Sequence, residues 1–343
     1  MITILLAFLL VAIVGFLAYI LLAGPNLPPG TDATIDDVLS RELPELITGR
    51  TGYAQPDGRD IWYESIPPAG PTRGTVLLLM GMGGDGFLWP PEFLRAFVDA
   101  GYRTVRYDHR GTGMSDWFRD WDRHNPYSLR DMAGDAVAVL DALGIDSAHL
   151  VGLSMGGMIA QEIAIHHPQR VASLTLMMTT GHAGDPELPG PSSHFFISNI
   201  AGGLPLLKYR LMGGEKNLIK ERVAKMVAAF GDAEGIGVRE MAELVLYDLR
   251  HRRGINGRAI LQHWMAINVS GSRYEGLKDV AVPTLVIHGT ADQLLPIEHG
   301  RKLATTIPNA RGMWLQDVGH LFPPPDAEVV FGRILTHLAA APA

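Results

Sequence analysis

The sequence predicts a doubly wound, mostly parallel α/β sheet with an inserted all-helical segment, preceded by a single apolar helix. Three observations predict it. Short apolar runs alternate with helical patterns from Thr75 to Met178, the signature of strand–helix–strand units. That rhythm breaks between Gly181 and about Arg273, where no convincing strand is present, and it resumes at Pro283. Ile2 to Ala23 is almost unbroken apolar sequence without a charged side chain.

Taken in order, Ile2 to Ala23 would span roughly 33 Å as a helix, against a hydrocarbon core of about 30 Å. Residues 1–24 are therefore read as a transmembrane anchor, with the globular domain on the non-cytoplasmic face. A cleaved signal peptide and secretion compete. No Lys or Arg precedes the run, however, and Leu21 and Leu22 stand where a small residue is wanted. Pro25 to Gly30 cannot continue a helix, and Thr31 to Leu46 has the mixed spacing of a short one, so 25–50 is linker and extension.

Asp57-Gly58 between two extended runs, within Tyr53 to Ile66, predicts a hairpin. Thr75 to Met80 reads as a strand buried on both faces. A helix at Glu92 to Ala100, a strand at Arg103 to Tyr107 and a helix at Asp131 to Leu143 follow. The strand from Ala148 leads into a helix ending near Pro168, and Val171 to Met178 is the next strand, which completes a first core part of residues 51–180. Residues 181–272 form a helical cap. The second core part, 273–343, has strands at Pro283 to His288 and Gly312 to Gln316 and a last helix at Asp326 to Leu338.

Composition limits the chemistry. The chain of 343 residues carries a formal net charge of −7 and no long basic run, which argues against a nucleic-acid partner. With no cysteine, disulfides, thiolate metal sites and a cysteine nucleophile are excluded. No HExxH, Walker-type lysine loop or histidine–carboxylate cluster occurs, so neither a metal nor a cofactor is expected. The oligomeric state is not encoded.

Gly152-Leu-Ser-Met-Gly156 sits where an apolar strand turns into a helix. A serine on so tight a turn is in strained backbone, and side chains two residues away on either side would collide, so glycine is needed there. Ser154 is the expected nucleophile. Met80-Gly-Met-Gly-Gly-Asp-Gly86 has two possible uses. Its G-x-G-x-x-G spacing, with Asp108 about 20 residues on, is what a dinucleotide site requires. Phe87-Leu-Trp-Pro-Pro91 intervenes, however, and defers the helix whose amino end would hold a pyrophosphate. The other use is an oxyanion hole, with the N–H of Met82 as one donor and that of Met155 as the second. Gly81, Gly83 and Trp89 are candidate substrate contacts on that loop.

Asp292 follows the strand ending at His288, where ligand chemistry collects at the carboxyl end of a parallel strand. Asp317 is nearer to His320 in sequence but too close along the chain to orient its ring easily. Of 13 histidines, His320 alone combines a loop, a flanking glycine and a position after Asp292. The order Ser154, Asp292, His320 suits a nucleophile, orienting acid and base. The loop Asp108-His-Arg-Gly-Thr-Gly-Met-Ser115 is polar and glycine-rich, with a binding role or, in preference, a bracing turn at the sheet edge.

From Tyr53 to Leu338 the chain resembles the α/β-hydrolase superfamily with an inserted helical cap. The elbow Gly152-Leu-Ser-Met-Gly156, the loop Asp108 to Ser115, the acid in His288-Gly-Thr-Ala-Asp292 and the base in Gly319-His320 carry the resemblance. Val151 to Thr180 is similar to carboxylesterases of the aclacinomycin methylesterase type. The family's oxyanion loop often starts His-Gly, whereas Met80-Gly81 here lacks a ring that would help order it. Together these features predict a serine hydrolase of a carboxylic ester, losing activity on the acidic side of about pH 6 to 7. A lactonase, thioesterase, carbon–carbon hydrolase or cofactor-free perhydrolase would use the same residues, and a non-catalytic ligand-binding relative would keep the pocket. Phe195, Phe196, Leu206, Leu207 and Met212 of the cap suggest a small-molecule ester with an apolar group, unless they merely pack cap against core.

Overall fold

A computed structural model describes residues 2–22, 26–230, 236–321 and 324–341 of the chain. In chain order the first elements are α1 (Ile2–Leu22), α2 (Thr31–Leu39), β1 (Arg50–Ala54), β2 (Ile61–Ile66), β3 (Thr75–Leu79), α3 (Pro91–Asp99) and β4 (Arg103–Tyr107). Then come α4 (Leu129–Ala142), β5 (Ala148–Leu153), α5 (Met155–His166), β6 (Val171–Met177), α6 (Ser193–Met212), α7 (Gly214–Phe230) and α8 (Val238–His251). The chain finishes with α9 (Ala259–Ser270), α10 (Tyr274–Leu277), β7 (Thr284–Gly289), α11 (Ile297–Thr306), β8 (Ala310–Leu315) and α12 (Pro324–Ala340). Two compact units result, one of Met1–Pro44 with Pro191–Tyr247, the other of Glu45–Gly190 with Asp248–Ala343.

The second unit contains one eight-stranded sheet in the order β1-β2-β4-β3-β5-β6-β7-β8. β2 runs antiparallel to both β1 and β4, and every other pairing is parallel. Successive side chains of a strand point to opposite faces, and both faces here are covered. Leu77, Leu79 and Leu150 pack with Met132, Ile159 and Ile163 of α4 and α5. Val76, Leu78 and Val151 pack on the other side with Phe93, Phe97 and Ile334 of α3 and α12. That division explains why β3 reads as a continuous apolar run rather than an alternating one. The order of strands reverses between β3 and β5, and the crevice beyond their carboxyl ends is where an open α/β sheet holds ligands.

Local chemistry sets the element ends. Asp57 and Gly58 in the β1–β2 connection have φ of 51° and 73°, the left-handed conformation that this dipeptide tolerates. Ser128 caps α4 with Asp131 returning the bond, a reciprocal capping box. α11 was not expected from its sequence pattern. Two neighbouring parallel strands need a crossover of this kind, and the mid-helix Gly300 that obscures it is required, because a Cβ there would lie 2.6 Å from His288 Nδ1.

Among the described residues no helix is long and apolar enough to cross a membrane. The transmembrane anchor expected at residues 1–24 is therefore not shown by the structure. The helical segment expected over 181–272 is wider than the insertion, which runs from Pro191 to Tyr247, and α9 belongs to the sheet-bearing unit. In the first unit Asp32, Asp36 and Asp37 on α2 pair with Lys220, Lys216 and Arg239 at 2.5, 2.6 and 2.7 Å. Leu206 packs with Tyr209 and Ala224, while Leu207 and Met212 are exposed. The side chains of Phe195 and Phe196 lie outside the described residues.

Among the buried histidines of the sheet-bearing unit are His109, His149 and His263. Burial lowers His149 and His109 to about 4 and His263 to about 3. An unfolded chain takes up a proton on each near pH 6.5 that the folded chain refuses, so stability is lost as pH falls from there towards the folded values. At pH 5 each such group costs about 2 kcal/mol. Asp108, raised to about 6 by burial against the pull of Arg252, works in the opposite sense but is outnumbered. Urea unfolding followed at pH 7 and pH 5 should therefore give a midpoint that drops markedly at the lower pH, with an unchanged slope.

Candidate active site

The site begins with a backbone constraint. Ser154 follows β5 with φ 54° and ψ −118°, a conformation that L residues rarely adopt. Its N–H donates to the Met177 carbonyl at 2.8 Å, and its carbonyl accepts from Thr179 Oγ1 at 2.7 Å, which holds the turn from both sides. The flanking glycines are sterically required. A Cβ on Gly152 would lie 2.5 Å from the Gly156 carbonyl oxygen, and one on Gly156 would overlap the Leu79 carbonyl at the end of β3.

The loop after β3 lies beside this turn. Gly81 is close enough that a Cβ on it would sit 3.5 Å from Ser154 Cβ. Gly84 N–H donates to the Gly81 carbonyl at 3.2 Å, closing a four-residue turn, and Gly83 at its third position has φ 72°. Among the described residues, the N–H groups of Met82 and Met155 have no hydrogen-bond acceptor. Met155 is the first residue of α5, where an N–H has no partner within the helix and the dipole favours negative charge.

The remaining two groups arrive from β7 and β8. His320 Nε2 lies 3.0 Å from Ser154 Oγ, and His320 Nδ1 lies 2.7 Å from Asp292 Oδ2. Their loops are tied together, since Ala291 N–H donates to the Val318 carbonyl at 2.9 Å and Gly289 packs without room for a Cβ against that carbonyl. Asp292 Oδ1 accepts the N–H groups of Leu294 and Leu295, each at 2.9 Å. Burial pushes the Asp292 carboxyl up, but hydrogen bonds from His288 and His320, the His320 charge and the Leu295 N–H outweigh it. The net effect holds it well below the usual carboxylate range, ionised throughout the neutral region.

Ser154, Asp292 and His320 are thus brought together, with Met82, Met155, Gly81 and Gly83 around them. Trp89 differs. Its indole is buried and stacks on Phe93 at 4.8 Å within the core cluster, so it is a packing residue rather than an exposed contact face. The Asp317 carboxylate accepts from Gln316 Nε2 at 2.9 Å rather than from His320, and its N–H donates to Thr290 Oγ1 of the loop after β7. Among the described residues no group of His, Cys, Asp or Glu has the arrangement to hold a metal.

The Asp108–Ser115 loop braces the site. Asp108 is fully buried, and it accepts from Gly86 N–H at 3.0 Å, Met114 N–H at 2.8 Å and the Arg252 guanidinium. Both oxygens of that carboxylate are engaged within the protein and none is exposed to a ribose hydroxyl, which removes the group a dinucleotide site would need. Ser115 Oγ donates to the Asp108 carbonyl and accepts from Trp62 N–H. Three further residues were not singled out by sequence. His109 Nε2 bonds the Met80 carbonyl at 2.8 Å, His263 Nδ1 accepts from Gly83 N–H at 2.9 Å, and His288 Nε2 lies 3.4 Å from Asp292 Oδ2. His109 had a signal in its polar loop after β4. His263 had none, because its partner is 180 positions away.

Comparison with known proteins agrees with this geometry. The family described as alpha/beta hydrolase fold matches residues 74–325. Rhodomycin D methylesterase DauP of Streptomyces sp. strain C5 is 31% identical over 82% of this chain and 95% of its own. Rhodomycin D methylesterase DnrP of Streptomyces peucetius is 30% identical over the same shares. A solved hydrolase from Pseudomonas aeruginosa is 26% identical, with a TM-score of 0.62 over 85% of this chain and all of its own. The chain therefore belongs to the alpha/beta hydrolase fold family, as an enzyme of the ester-hydrolase kind with methylesterases among its relatives.

Proposed function

We propose that the protein hydrolyses a carboxylic ester through Ser154, His320 and Asp292 by way of an acyl-enzyme. The observation that carries the proposal is the hydrogen-bond chain from Ser154 Oγ through His320 to Asp292, at 3.0 and 2.7 Å. Asp292 accepts the Nδ1–H of His320, which leaves Nε2 bare to take the serine proton. Ser154 Oγ then attacks the ester carbonyl, and the electron pair displaced onto oxygen is met by the N–H groups of Met82 and Met155. Collapse of the tetrahedral species expels the alcohol, protonated by His320. Water activated by the same imidazole then attacks the acyl-enzyme and releases the carboxylate.

For the substrate, the names of the relatives support a methyl ester, and that of rhodomycin D is the first to try. The Ser154→Ala variant should lose both ester turnover and labelling by a fluorophosphonate probe; labelling that persists in it would overturn the assignment. Asp292→Asn should lower kcat by roughly 10⁴, as the same change does in serine proteases, with circular dichroism unchanged.

We also propose that Ile2 to Ala23 anchors the enzyme to a membrane, on the strength of its uncharged apolar sequence. Carbonate washing at high pH should then leave the full chain in the membrane pellet, and release to the supernatant would refute the anchor.

A further inference from the structure

The turn that carries Met82 is held at both ends by imidazoles from elsewhere in the chain. His109, just past β4, bonds the carbonyl of Met80 through Nε2 at 2.8 Å, so that nitrogen carries the proton. His263, on α9, bonds the Arg110 carbonyl through Nε2 at 2.8 Å, which fixes the proton there and leaves Nδ1 bare. Nδ1 accepts the N–H of Gly83 at 2.9 Å. The Met82–Gly83 peptide is the central peptide of the turn. This is the peptide that flips between turn types, exchanging its C=O and N–H directions.

α9 fits the turn closely. A Cβ on Gly83 would lie 2.5 Å from Ile260 Cγ1, one helical turn before His263. The two imidazoles meet edge to face, 5.8 Å apart. Neither is exposed, at 1% for His109 and 0% for His263.

We propose that His263 is a positioning residue of the oxyanion loop, its bare Nδ1 pinning the Met82–Gly83 peptide while His109 holds the loop at Met80. Together they replace, from distant positions, the ring that Met80 lacks. Protonation would put a second N–H against that of Gly83, so the clamp needs a neutral ring. Burial supplies one, with the charge of His109 a smaller contribution, by lowering His263 to about 3.

The inference rests on Met82 as an oxyanion donor, and a matched pair of variants separates the two. His263→Asn keeps an acceptor near the Nδ1 position and loses the Arg110 bond. His263→Gln keeps a donor near Nε2 and loses the Gly83 acceptor. With an aryl ester, the Gln variant should lose about tenfold or more in kcat, with KM within about threefold, because only transition-state contacts suffer. Its affinity for a trifluoromethyl ketone, which forms a tetrahedral oxyanion on the serine, should weaken by the same factor. The Asn variant should stay within a few-fold of the parent on both measures. A Gln variant with unchanged kcat and ketone affinity would overturn the proposal, as would an equal loss in both variants. If the Gln variant does not fold, a tenfold kcat loss in the Asn variant alone refutes it, and parent-like values uphold it. Ser154→Ala in the same assay is the control. Activity surviving in it sinks the hydrolase reading itself, whereas its loss beside a parent-like Gln variant sinks only the role of His263.

Discussion

The site depends on one close approach of backbone to backbone. The first turn of α5 passes so near the end of β3 that Gly156 lies against the Leu79 carbonyl with no room for a side chain. That approach forces the chain through positive φ at Ser154, a strain of order 1–3 kcal/mol. It persists because neighbouring strands and Thr179 hold both the N–H and the carbonyl of Ser154. The same approach sets the Met155 N–H beside the loop that leaves β3. Nucleophile and oxyanion donors therefore share one geometric origin, at the point where the strand order reverses.

Around that point the protein spends buried charge on fixing loops rather than on exposed chemistry. Arg252 donates to Asp108 while its guanidinium lies 3.9 Å over the Phe87 ring, and Arg106 lies 3.9 Å over the same ring. Arg106 in turn pairs with the fully buried Glu64, and Arg110 grips Asp135 through two bonds of 2.6 Å. Such pairs gain little net stability over apolar packing, but loss of one partner is costly because the other is left charged and buried. Their effect here is to give the loops after β3 and β4 a single arrangement.

Much of this was legible in the sequence where the cause is local. β3 and β5 show as apolar runs because both faces are covered, and the glycines at 152 and 156 announce the turn they permit. Asp292 and His320 follow from loops at strand ends. What the sequence concealed has its cause at a distance. α11 is masked by Gly300, which yields to the ring of His288. Trp89 looks like a contact residue on a loop until Phe93 claims its face. His263 lies on a helix that reads as part of the insertion, and only the fold brings it to Gly83.

The placement of α9 has a practical consequence for anyone building chimeras. The inserted helices run from Pro191 to Tyr247, and the chain rejoins the sheet-bearing unit at Asp248. A graft exchanging the whole of residues 181–272 would also remove Arg252 from Asp108, Gln262 from the Phe118 carbonyl and His263 from Gly83. Splice points at 190 and 248 leave those contacts with the host. Transplanting substrate preference between relatives is therefore a question of where the seam falls, and the seam is shorter than the sequence alone suggests.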